Sequence, residues 1–139
     1  MDNQIESIKK NADLVIKQFS PLSGIEFGLN RDSVEWVEGF IERQRAREDF
    51  DLKNSERLID VLGSFLGECI IANSGGEWRE SETHGLGVGF PDGNFCYPFN
   101  KVGKMFRNGL AGGDSILGFY DTTVDFIAKG RFWEEDSSD

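Results

Sequence analysis

Leu86-Gly-Val-Gly-Phe90, the turn Pro91-Asp-Gly-Asn94 and then Phe95-Cys-Tyr-Pro-Phe99 form the stretch on which the fold turns. Large apolar side chains recur at every second position on both sides of the turn. That is the period of a strand with one face packed and the other open. Pro-Asp-Gly-Asn supplies the residues that reverse a chain at low steric cost. With Trp78 and its neighbours, the stretch predicts a three-stranded antiparallel meander over about 77–81, 85–90 and 94–99. Gly85, Gly87 and Gly89 strip one face of the middle strand, so that another element or a partner can approach its backbone. The run HGLGVGF is not read as a phosphate loop. Phosphate loops place their glycines ahead of a helix N-terminus, where free amides meet the anion, and these glycines run into a hairpin turn.

Outward from this stretch the period changes to that of helices. Ile5, Ile8, Ala12, Val15 and Phe19 form one apolar stripe and predict a helix over 3–20, ended by Pro21 and Gly24. A short extended piece, Ile25 to Leu29, leads to a helix over 33–47 with Val34, Val37 and Ile41 inward. Asp32 and Glu35 have the spacing of a capping box at its start, and its charged end ERQRARED reads as solvated. The helix over 55–73 is apolar on most sides, which predicts the centre of the core. Gly63 and Gly67, one turn apart, cost that helix about 1 kcal/mol each relative to Ala and predict close approach of another element. Helices over 101–108 and 115–129 follow, with Asn100 and Asp114 as expected caps and Gly109 and Gly130 as stops. Helices before and after a small sheet make an α+β domain over 1–133, with an acidic tail at 134–139.

The chain has 139 residues, twelve Phe and three Trp, enough for one core. Its net charge is −10, from 25 acidic against 15 basic residues. That charge excludes nucleic acid and anionic membrane as the expected ligands and favours a basic protein partner. Two cysteines and one histidine cannot supply the about four ligands of a structural zinc site. No metal and no cofactor is called for, and Cys69 and Cys96 read as reduced core thiols. The opening MDNQIESIKK has no apolar leader core, and no run approaches the ~18 apolar residues of a membrane span. The expected compartment is the cytoplasm, and nothing in the pattern fixes an oligomeric state.

Two residues invite a catalytic reading. Glu68 lies in GSFLGECII, the most apolar helix, where an unpaired carboxylate would be costly and a raised pKa would suit acid–base work. His84 is the sole histidine, and no GxSxG nucleophile elbow accompanies it. Together they would serve a small hydrolase or transferase. The structural alternative is that Glu68 ties the helix to the sheet, and no catalytic residue is assigned. For partner binding, Glu35, Trp36, Glu38, Glu42 and Glu48 are the expected residues. Trp36 falls about 100° from Val37 and off the apolar stripe, where an exposed indole would be an interface anchor.

Residues 61–120 resemble a group of small uncharacterised bacterial domains. The shared words are VLGSFLGECI, then GGEW, PDGNFCYPFNKV, and NG with DSILGFY. The resemblance implies a bacterial origin and supplies no catalytic residue. In type, though not in motif, the chain is similar to immunity proteins encoded beside secreted toxins. The expectation is a non-enzymatic inhibitor that masks a basic toxin with acidic residues. An acidic secretion chaperone is the further alternative.

Overall fold

The computed structural model describes residues 2–129, so the expected Gly130 stop and the 134–139 tail lie outside the described residues. The order is α1 (Asp2–Ser23), α2 (Arg31–Arg45), α3 (Glu56–Ser74), β1 (Glu77–Ser81), β2 (Gly85–Gly89), β3 (Phe95–Cys96), α4 (Pro98–Asn108) and α5 (Ile116–Lys129). Short 3-10 turns, Leu52–Ser55 and Leu110–Gly112, precede α3 and follow α4. The fold is α+β, with the helices packed against one antiparallel sheet in the order β1-β2-β3. Among the described residues no helix is long and apolar enough to cross a membrane.

The apolar α3 is central, as its sequence requires. Val61, Leu62, Phe65, Leu66, Cys69 and Ile70 are buried, and α1, α4 and α5 all pack on this helix. Gly63 and Gly67 are the seats of two rings. A Cβ at Gly67 would overlap the Trp78 indole, and one at Gly63 would stand 2.5 Å from the Phe99 ring. The two rings are neighbours, 5.5 Å between centroids. Burying a large apolar side chain contributes roughly 2 kcal/mol or more, so two seated aromatics outweigh the helix propensity lost at two glycines. The helix ends at Gly75, whose φ of +81° makes the left-handed cap that closes onto the Ile71 carbonyl.

The sheet has two distinct faces. Trp78, Val88 and Cys96 align across the three strands and are buried toward α3. On the other face the glycines of β2 lie beneath rings from the next segment. A Cβ at Gly87 would stand 2.8 Å from the Tyr97 ring, and one at Gly89 3.2 Å from Phe95. Gly87 and Gly89 are thus covered by their own hairpin, whereas Gly85 is left open.

Several expected boundaries move. β3 is only Phe95–Cys96, not 94–99, because α4 starts at Pro98 rather than 101. Proline lacks only an amide that a first helical turn leaves unpaired, and Asn100 therefore lies inside the helix and is no cap. α1 passes Pro21 and runs to Ser23; the ring's fixed φ is helical and near the end removes little. α2 spans 31–45 instead of 33–47, and its cap is Asn30, which accepts from the Ser33 amide at 2.9 Å. The Asp32–Glu35 capping box does not form. Residues 25–29 make loop and bend, not a strand. Ser115, not Asp114, caps α5 by accepting from the Gly118 amide at 2.9 Å. Asp114 instead accepts from Lys101 and Asn108, both at 2.8 Å.

Candidate functional site

The expected binding residues divide by their position on α2. Val34, Val37 and Ile41 are buried, which turns Glu38 and Glu42 toward α5 and the end of α4. Glu38 accepts from the Ser115 hydroxyl and from the Leu117 amide at 3.1 Å. A carboxylate there answers the unpaired amides and positive end of α5. Glu42 accepts from the Leu110 amide at 3.1 Å and pairs with Arg45 at 3.7 Å. Arg45 in turn donates to the Phe106 carbonyl at 3.0 Å. The charged end of α2 is therefore partly stitched to α4, not wholly solvated. Glu38 and Glu42 bind this chain rather than presenting free charge.

Glu35 and Glu48 are exposed. Trp36 is half-buried in an aromatic cluster. Phe19 lies 4.8 Å from its ring and Phe27 5.9 Å, with the Arg43 guanidinium 5.3 Å over its face. The indole is a partial anchor at the edge of the core. The same cluster draws the 24–30 loop onto α2, because Phe27 also packs on Phe19 and Phe65. The Asn30 side chain adds a bond to the Glu26 carbonyl at 3.3 Å.

That loop carries what the sequence reading missed. Leu22 is 71% exposed and Ile25 39% exposed, beside exposed Glu26 and, in the first turns of α2, exposed Asp32 and Glu35. None of these three acids enters an ion pair among the described residues. Arg31, their basic neighbour, is held bidentately by Asp121 at 2.8 and 2.9 Å. The signal for Leu22 was present, since it continues the α1 stripe three residues past Phe19. Reading Pro21 as a stop hid it. Two exposed apolar residues at the end of α1 and in the loop are thus followed along the chain by three exposed acids.

Glu68 and His84 engage opposite faces of the sheet. Glu68 accepts from the Trp78 indole N–H at 2.8 Å, so it ties α3 to the core face of β1. His84 is exposed in the β1–β2 turn, its Nδ1 2.6 Å from the Thr83 hydroxyl and its ring 5.3 Å from Tyr97. The structure does not bring the two into one cleft. Cys69 and Cys96 are free and buried. Burial pushes both thiols up, Cys96 to about 12, which keeps them protonated and poorly nucleophilic. Among the described residues no group of three or more His, Cys, Asp or Glu is placed to hold a metal ion. Compared with known proteins, the chain matches no family model, no curated protein and no solved structure at a significant level.

Proposed function

We propose that the chain is a non-enzymatic protein-binding domain of the immunity type, which neutralises a basic bacterial toxin in the cytoplasm through its α1–α2 end. The observation that carries this reading is Leu22. A leucine 71% exposed on a structured helix, with Ile25 beside it, leaves apolar area in water that a partner would cover. The acids Glu26, Asp32 and Glu35, which enter no ion pair among the described residues, follow it along the 24–30 loop and the first turns of α2, and Glu48 adds charge beyond the end of α2. Acidic borders speed encounter with a basic partner, while the apolar centre slows its release. The net charge of −10 adds long-range attraction of the same sign.

The test is co-expression with the products of the neighbouring reading frames, scored by growth. One of them should arrest growth, and this chain should relieve the arrest. Leu22→Asp, and separately the double reversal Asp32→Lys with Glu35→Lys, should abolish relief while leaving the melting temperature within about 3 °C of the parent. With the purified partner, charge reversal should slow association and weaken its salt dependence, whereas Trp36→Ala should speed dissociation. Full protection by the surface variants would show that another face binds. No toxic neighbour would sink the immunity reading.

A further inference from the structure

A cleft of about 690 Å³ opens between the outer face of the hairpin, α4 and the first half of α5. None of its lining residues belongs to the α1–α2 end, and its composition departs from that of the chain. The protein has 25 acidic residues, yet among the described residues no carboxylate lines this cleft, whereas Lys101, Lys104 and His84 do. Asp114 neutralises Lys101 at 2.8 Å. Lys104 is exposed and enters no ion pair within 4.0 Å among the described residues. Asp114 feels its charge only at longer range, so Lys104 is the cation of the cleft without a carboxylate in contact.

The apolar lining is aromatic. Phe95 and Tyr97 have ring planes 12° apart with centroids separated by 6.1 Å, and Phe119 comes from α5. Near-parallel rings favour a flat, unsaturated guest, which gains both area burial and offset stacking. A volume of this size suits one small organic molecule. Thr123 adds a second polar handle. It is 4% exposed and lines the cleft, and its hydroxyl has no hydrogen-bond partner among the described residues. Among the described residues no fully buried side-chain polar atom lacks a partner, so this hydroxyl is open to the cleft.

The first amides of α5 are not offered to an anion. Glu38 takes the Leu117 amide and Ser115 takes that of Gly118. The cleft therefore lacks the ring of free amides that marks phosphate sites. One exposed lysine and a hydroxyl suit a carboxylate.

We propose that this cleft binds a small planar aromatic carboxylate, its ring against Phe95, Tyr97 and Phe119 and its charge on Lys104. The site is independent of the α1–α2 face, so each can fail without the other. The experiment is an NMR titration of amide shifts in the full chain. The probes are naphthalene-2-carboxylate and indole-3-carboxylate, their neutral carboxamides, and phenyl phosphate. Saturable shifts are expected within residues 95–104 and 115–123, with the carboxylates binding about tenfold tighter than the amides. Lys104→Met should lower carboxylate affinity about tenfold and Thr123→Val about threefold, and Leu22→Asp should change nothing. Lys104 makes no ion pair, so its variant should fold as the parent does. No saturable shift below ~5 mM, amides binding as well as acids, or indifference to Lys104→Met would overturn the proposal. Tighter binding of phenyl phosphate would overturn the carboxylate assignment and make the site a phosphate site.

Discussion

The two sides of α2 carry the same kind of residue to opposite ends. Glu38 and Glu42 look inward and are consumed by the chain's own amides at Leu117 and Leu110. Asp32 and Glu35, in the first turns of the same helix, are exposed and make no side-chain hydrogen bond or ion pair among the described residues, feeling only the charge of Arg31. Glu68 and Asp114 belong with the first group, the one on an indole N–H and the other on Lys101. An acidic composition is thus two populations. One is joinery, whose removal should cost stability. The other is surface, whose removal should cost only what the surface does.

The largest effect should come from Glu38. Glu38→Ala leaves the Ser115 hydroxyl and the Leu117 amide without their partner and should lower stability by about 2 kcal/mol. Urea unfolding measures this, and a loss as small as that of Asp32→Ala or Glu35→Ala, each expected within about 0.5 kcal/mol, would erase the distinction between the two sides.

Glu68 should come next. Glu68→Ala strands the indole N–H of Trp78 in the core and should cost about 1.5 kcal/mol. Glu68→Gln keeps a carbonyl acceptor and should recover most of that loss. If Gln proves as damaging as Ala, the charge itself, not the hydrogen bond, anchors α3 to the sheet.

The smallest effect is a dependence on pH. Hydrogen bonds from Lys101 and then Asn108 hold the Asp114 carboxyl below the usual carboxylate range. Because the folded pKa lies under the unfolded one, the contribution is complete above the ordinary value near about 4. It fades as pH falls through the depressed folded value. Asp114→Asn should therefore be slightly less stable at neutral pH and lose less on acidification. Parallel acid limbs in the two proteins would show that this carboxylate contributes nothing through its charge.

The cleft and the α1–α2 end differ as much as the two sides of α2 do. One carries exposed acids that enter no ion pair among the described residues, and the other is lined without any. The division cannot be read from the net charge, which averages them.

Periodicity by itself determined the α+β class, the central place of α3 and the antiparallel meander, because the spacing of apolar residues states which face must leave water. The paired glycines in α3 likewise announced a close approach, and Trp78 and Phe99 make it. Boundaries followed less well where one residue type has two uses. Pro21 was compatible with both a stop and a last helical turn, and Pro98 with both a strand and a helix start. The fate of each carboxylate belonged to the tertiary structure alone. Glu35 and Glu38 are three residues apart on one helix and look alike in sequence. Whether either meets an amide depends on where α5, some eighty residues later, comes to rest. Leu22 is the same lesson in reverse: its stripe is correct for burial, and only the packed structure shows that no element of the described chain arrives to cover it.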